Sequence, residues 1–456
     1  MNYDQFLENK RHTISNYGIE PDFIPKTMFE FQKYVSNYVI KKGRCACFLD
    51  TGLGKTIIEL TTAQNYVRHT NKPVLIITPL AVAFQFIKEA EKFGIEDVEY
   101  SKDGKYRHKI VICNYERLEH FNHNNFDCVI LDESSILKNF DGARKTQITS
   151  FMRKVKYRYL FTATPSPNDF IELGTSSEAL GYLGYTDMLT KFFTNNEDTI
   201  NPMNIGTEWI LKGHAKEAFF KWVSGWSISM RKPSDLGFDD STHNLPKLIT
   251  NYHSIKNEKN MVINNQIMLF NQVAQRLTEI RQEQKDTIED RCEIAVELAA
   301  KYKNSVYWVN FNDEADLIEQ IDKDAHQIKG TMDIDKKEDI LLSFFNGEIN
   351  KLVTKPKITA FGLNWQHCNH TVFFPTFSYE QYYQAIRRFW RFGQTKDVIV
   401  DLVYSDGQKR ILDSLIAKSD KANELFSKLN INLHKSYEIK NKEFSKKTVL
   451  PLFIKG

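Results

Sequence analysis

Short apolar runs alternate with helical periodicity through the first third of the chain. The runs are Cys45–Leu49, Val74–Thr78, Ile110–Cys113, Cys128–Leu131 and Tyr159–Phe161. Helical patterns cover roughly 56–68, 81–92 and 143–153, after an earlier one that opens at Phe29 and runs to about Lys42. Continuous apolar strands between helices predict βαβ units on a parallel sheet buried on both faces. From about 168 to 245 the pattern changes: helices are expected near Trp209, Trp222 and Trp226 without a strand, and Met230–Gly237 and Asn244-Leu245-Pro246 read as a connector. Residues 258–302 read as long polar helices broken near Asp286. The alternation then resumes, with strands at Ser305–Asn310, Lys351–Thr354, Thr371–Phe374 and Val398–Tyr404 and helices near 312–323, 334–346, 378–390 and 407–418. The expected division is an α/β domain over 1–167, a helical insert and connector over 168–257, a second α/β domain over 258–430 and a basic tail over 431–456.

Composition narrows the class. A chain of 456 residues suits two or three domains and can bury a sizeable core. Its net charge of +3 is too small for a polycation, so any nucleic-acid surface must come from local clusters. The six cysteines contain no C-x-x-C pair and mostly lie in apolar runs, which argues for core thiols rather than disulfides or zinc. No apolar run reaches about 18 residues and no signal-peptide pattern opens the sequence, so a cytoplasmic protein without a membrane span is expected.

Four stretches carry chemistry. Asp50-Thr51-Gly52-Leu53-Gly54-Lys55-Thr56 links an apolar strand to a helix through a glycine turn. Its N–H groups suit nucleotide phosphates, with Lys55 reaching the β/γ-phosphates and Thr56 placed for Mg²⁺. A glycine four residues before Gly-Lys-Thr is missing; that position is Leu49. The strand Val129-Ile130-Leu131 ends in Asp132-Glu133, an Asp placed for Mg²⁺ and a Glu placed for water, or else a solvated acidic strand end. Leu160-Phe161-Thr162-Ala163-Thr164-Pro165 ends a strand with two hydroxyls. Gln384-Ala385-Ile386-Arg387-Arg388-Phe389-Trp390-Arg391-Phe392-Gly393-Gln394 sets Arg388 and Arg391 on one helix face, suited to phosphate or to solvent.

In this order the four stretches resemble superfamily-two helicases, and among them the Swi/Snf-like ATPases in a compact, phage-type form. Asp50–Thr56 resembles motif I, where the missing glycine is usual. Leu131–Asn139 resembles motif II, with Ser134-Ser135 in place of Ala-His. Thr162–Pro165 resembles motif III, and Gln384–Gln394 motif VI, with Arg387 where a Gly is usual and Trp390 where a His is common. Weaker likenesses are Gln32 to the adenine-reading glutamine, Thr78-Pro79-Leu80 to motif Ia, Cys113–Glu116 to motif Ib, Val309–Asn312 to motif IV and Thr359–Asn364, with Gly362, to motif V.

The resemblance implies two RecA-like domains with ATP between them and a nucleic-acid track across both. It implies nucleotide contacts from Gln32, Thr51, Gly52, Leu53, Gly54, Lys55, Thr56, Gly362 and Gln384. Mg²⁺ falls to Thr56 and Asp132, and catalysis to Lys55, Asp132, Glu133, Arg388 and Arg391. The expected activity is a DNA-dependent ATPase that translocates on or remodels double-stranded or branched DNA, acting as a monomer in a bacterial or virus-infected cytoplasm. A strand-separating helicase on forks stays open, with an RNA helicase and a non-hydrolysing nucleotide switch behind it. Candidate DNA contacts are Arg153/Lys154/Lys156/Arg158, Lys351/Lys355/Lys357 and the tail from Lys440 to Lys447.

Overall fold

The computed structural model describes residues 17–79, 82–138, 142–196, 208–241, 243–256, 262–263, 266–267, 277–358 and 365–440. The first lobe opens with α1 (Glu30–Lys42), which Gly43 ends in a left-handed turn at φ 73°. Then come β1 (Arg44–Leu49), α2 (Lys55–Thr70), β2 (Val74–Thr78), α3 (Ala83–Lys92), β3 (Val98–Tyr100), β4 (Ile110–Asn114), β5 (Cys128–Leu131), α4 (Ala143–Lys154) and β6 (Tyr157–Thr162). The chain continues through α5 (Leu173–Leu180), α6 (Tyr185–Phe192), an antiparallel pair β7 (Phe193–Asn196) and β8 (Glu208–Leu211), α7 (Lys216–Trp226) and β9 (Ser227–Met230).

Seven strands form one parallel sheet in the order β3-β4-β2-β5-β6-β1-β9. Its central strands are apolar at almost every position because both faces are covered. On one face Phe48, Val111 and Leu131 pack against Trp226 and Phe219; on the other, Cys47, Ile76 and Ile130 pack against α1 and α2.

The second lobe begins at β10 (Leu248–Ile255), followed by the short pair β11 (Val262–Ile263) and β12 (Gln266–Ile267). Next are α8 (Leu277–Asp286), α9 (Ile288–Ala299), β13 (Ser305–Trp308), α10 (Asn312–Ile321), β14 (Ala325–Gln327), α11 (Ile334–Asn346) and β15 (Lys351–Thr354). β16 (His370–Phe373), α12 (Tyr379–Ile386), β17 (Val398–Ser405) and α13 (Lys409–Lys440) complete it. Its six-stranded sheet is also parallel, in the order β10-β17-β16-β13-β15-β14. The α/β class with two parallel sheets is therefore as the sequence pattern predicts.

Three expectations change. Residues 168–245 do carry strands, and one of them, β9, extends the first sheet by pairing Ala46 with Ser227. Two of its four residues are serines, so no apolar run marks it; all four are nonetheless buried, with the Ser227 hydroxyl bonded to Val223 O and that of Ser229 to Asn430. The predicted helix over 378–390 stops at Ile386, so Arg388 and Arg391 stand on the turn beyond it rather than on a helix face. The last helix does not stop near 418. Leu412 packs in the second-lobe core, while Leu425, Phe426 and Leu429 pack in the first, so α13 straps the two lobes together. Residues 431–440 of the expected tail belong to this helix, and the rest of the tail lies outside the described residues. No helix among the described residues is long and apolar enough to cross a membrane.

Candidate nucleotide site

The phosphate loop sits between the C-terminal end of β1 and the start of α2, where an open parallel sheet presents its crevice. Two of its glycines are needed for their backbone. Gly52 has φ 85°, and a Cβ there would meet the Phe392 backbone N at 3.1 Å. Gly54 has φ 83°, and a Cβ would lie 2.3 Å from the Gln32 amide nitrogen. L-side chains are strained at such φ values, so both positions call for glycine. The Lys55 ammonium donates to Leu49 O at 3.0 Å and Asp50 O at 3.4 Å. Leu53 is buried, and Thr51 and Thr56 are half-buried.

Gln32 ties the start of α1 to this loop. Its Oε1 accepts from Phe29 N at 3.1 Å and its Nε2 donates to Leu53 O at 3.1 Å. Around it Phe29 and His243 meet Phe392 of the second lobe, with the His243 and Phe392 rings stacked at 4.7 Å and Phe31 edge-on to His243. His243 is not legible in the sequence, because connector residues have no periodicity to betray them.

Asp132 and Glu133 follow β5 into the same crevice. Thr78 donates to Asp132 Oδ2 at 2.9 Å, and the Glu133 N–H donates to Oδ1 at 2.9 Å. Glu133 has φ 49°, an uncommon conformation for a residue with a Cβ, and strain of this kind gathers at functional sites. Its Oε1 accepts from Thr162 at 2.8 Å and from Ser135 at 3.1 Å. Ser135 stands where motif II usually has His, and it holds the glutamate directly. The Tyr115 hydroxyl donates to the carbonyls of both Asp132 and Glu133. Burial pushes both carboxyls above the usual carboxylate range, against the pull of the Thr78 hydroxyl on Asp132 and of the Lys55 ammonium on both. Glu59, one helical turn beyond Lys55, is buried with neither oxygen hydrogen-bonded among the described residues. Its burial, reinforced by Asp132, favours its neutral form.

The second lobe meets this crevice along the turn after α12. Burial lowers the Arg388 guanidinium to about 10, with the Glu133 charge opposing the shift. Burial lowers Arg391 to about 10 as well, assisted by Arg388 and Arg387. Both remain cationic at neutral pH. Gln384 is half-exposed on α12, and Gly362 lies outside the described residues, as does the rest of Thr359–Asn364. The site thus brings together Gln32, Thr51–Thr56, Asp132 and Glu133 from one lobe and Arg388 and Arg391 from the other.

One residue in each of two basic clusters is spent on structure. Arg158 is buried, its guanidinium bonded to Val155 O, Leu180 O and Arg153 O. Lys351 pairs with Asp322 at 2.8 Å, both largely buried. Arg153, Lys154 and Lys156 remain exposed.

Residues 29–172 match the DEAD/DEAH box helicase family, and residues 286–393 match the helicase conserved C-terminal domain. The chain is 28% identical over 179 residues to the DNA annealing helicase and endonuclease ZRANB3 of Mus musculus, a match covering 35% of this chain and 16% of that protein. It is 26% identical over 164 residues to the SWI/SNF-related matrix-associated actin-dependent regulator of chromatin subfamily A-like protein 1 of Xenopus laevis, covering 34% and 17%. The chain thus spans about a sixth of the length of these curated relatives. A solved structure, the Sulfolobus solfataricus SWI2/SNF2 ATPase core in complex with dsDNA, is similar at 19% identity and a TM-score of 0.43, covering 90% of this chain and 98% of that one.

Proposed function

We propose, because the chain belongs to the Swi/Snf-like superfamily-two helicases, that it is an ATP-driven motor that translocates on or remodels double-stranded or branched DNA. One observation carries the reading: the arginine turn of the second lobe is seated on the phosphate loop of the first, with Phe392 against Gly52. Such a site is complete only when the lobes meet, so occupancy by nucleotide becomes a signal of lobe position. One relative is a DNA annealing helicase, which supports DNA as the track.

In this reading Lys55 and N–H groups of the loop bind the phosphates of ATP. Thr56 and Asp132 would hold Mg²⁺, which when bound would neutralise phosphate charge; the buried, twice hydrogen-bonded Asp132 carboxylate suits that duty. Glu133 accepts the proton of the attacking water, aimed by Thr162 and Ser135. Arg388 and Arg391 face the charge that develops on the transferred phosphoryl group. Exposed lysines such as Lys154 and Lys156 supply sequence-independent phosphate contacts.

Turnover measured with single-stranded, duplex and forked DNA and with RNA tests the proposal. Stimulation by duplex or forked DNA, falling as salt rises, is expected. Stimulation by RNA alone, or by nothing, would sink it. Strand displacement on forked DNA separates the helicase reading from pure translocation.

Glu133→Gln is expected to lower turnover at least ~10²-fold while nucleotide still binds. The wild-type acid limb checks the same role. A base must be ionised, so activity is lost as pH falls through its pKa. Burial raises that pKa, so the limb should lie above the ordinary glutamate value of about 4.3.

A further inference from the structure

Arg387, where motif VI usually has a glycine, crosses between the lobes. Its Nη2 donates to Asp50 Oδ2, and its Nη1 donates to Trp390 O at 3.1 Å. Its guanidinium lies over the rings of Trp390, 4.3 Å from the centroid, and of Tyr383 at 5.2 Å. The Tyr383 hydroxyl donates to Asp50 Oδ1. The same oxygen accepts from Thr51 N at 2.6 Å, an N–H of the phosphate loop itself. The Arg387 and Asp50 side chains are only 7% and 3% exposed. Asp50 is therefore a node that receives the Thr51 N–H and, at 3.5 Å, the Thr51 hydroxyl from the loop, and two donors from the opposite lobe.

A guanidinium and a carboxylate this buried are tolerated only in company. The lobes can part here only by separating the pair and letting water reach both charges. The contact is also specific in register. Arg387 immediately precedes Arg388, so fixing one guanidinium fixes the backbone that carries the other. Planarity matters as well, because the group donates in two directions while stacked on Trp390, and an ammonium cannot do that.

We propose that Arg387 and Asp50, with Tyr383, form an interlobe latch that sets the docked register of the two lobes and so positions Arg388 against the phosphate loop. Arg387 is a positioning residue, and its effect on turnover rests on the ATPase reading above. The latch itself does not, because lobe separation can be read without hydrolysis.

The experiment uses the full chain with one fluorophore on each lobe. Interlobe energy transfer, melting temperature, nucleotide affinity and steady-state kinetics on duplex DNA are compared for wild type, Arg387→Gln, Arg387→Lys, Tyr383→Phe, Asp50→Asn and the Asp50→Asn/Arg387→Gln double variant. Arg387→Gln should lower transfer in the nucleotide-free protein and cut kcat about 10- to 100-fold, a loss typical of misplaced catalytic groups, with a small change in KM. Arg387→Lys should fall between, and Tyr383→Phe should show a weaker loss. The double variant should be no worse than the poorer single, since both remove one interaction. Wild-type transfer in Arg387→Gln, or losses that add in the double variant, overturn the latch. If Arg387→Gln does not fold, Arg387→Lys and Tyr383→Phe decide by the same measurements: lowered transfer supports the latch, and unchanged transfer overturns it. If the wild type hydrolyses no ATP, the motor reading fails while energy transfer still decides the latch.

Discussion

Arg388→Ala is expected to cut DNA-stimulated ATP turnover by ~10³-fold or more while leaving MgATP affinity nearly unchanged. Lys55, the loop N–H groups and Asp132 all belong to the first lobe, so they retain the nucleotide when a second-lobe side chain is removed. What disappears is charge aimed at the transition state, which acts on rate rather than on ground-state binding. The local electrostatics support that division. Three arginines share one turn, and Asp50 already takes the charge of Arg387. Arg391 is buried and feels two cationic neighbours besides, and its Nε has no hydrogen-bond partner among the described residues. Cations crowded together at a closed interface are costly without an anion, and a phosphoryl group is the anion the crevice suits. Arg391→Ala should therefore behave as Arg388→Ala does. Fluorescent-nucleotide titration set beside steady-state turnover checks both, and an equal loss of binding and turnover would refute the role.

How far the sequence reveals this arrangement depends on what each residue must do locally. β1, β2 and β5 are legible because a strand covered on both faces has to be apolar almost throughout. The phosphate loop is legible because its glycines answer to backbone geometry, and that demand is visible in one dimension. β9 and β10 are hidden for the opposite reason. They lie on sheet edges and use Ser227, Ser229, Asn251 and His253, whose partners are Val223, Asn430 and Asp401. Only folding supplies those partners. The early end of α12 is equally hidden, because Phe389 and Trp390 continue a helical apolar pattern while packing from a turn. Arg387 was visible only as a departure from the motif. Its partner Asp50 lies 337 residues earlier, beyond the reach of any periodicity.

Arg291→Ala should destabilise the second lobe by ~3–5 kcal/mol, the cost typical of breaking a buried pair from one side. Arg291 and Glu314 are both 0% exposed and 2.7 Å apart. The guanidinium also donates to Thr287 Oγ1 at 3.2 Å and Gln284 O at 2.6 Å, and it lies 4.9 Å from the Phe374 ring. It therefore ties α9 and the end of α8 to α10 and to the residues after β16. Glu314 in turn accepts from the N–H groups of Asn310 and Phe311 at 2.9 and 3.0 Å, closing the start of α10. Alanine leaves that carboxylate charged, buried and short of its cation. Arg291→Met paired with Glu314→Gln should recover much of the loss, since methionine refills the volume and glutamine keeps an acceptor for the two N–H groups while removing the stranded charge. Urea unfolding followed by a second-lobe probe, such as the Trp308–Trp365 stack, checks both variants. A double variant as unstable as Arg291→Ala would mean that shape around the guanidinium, not the unpaired charge, dominates the cost.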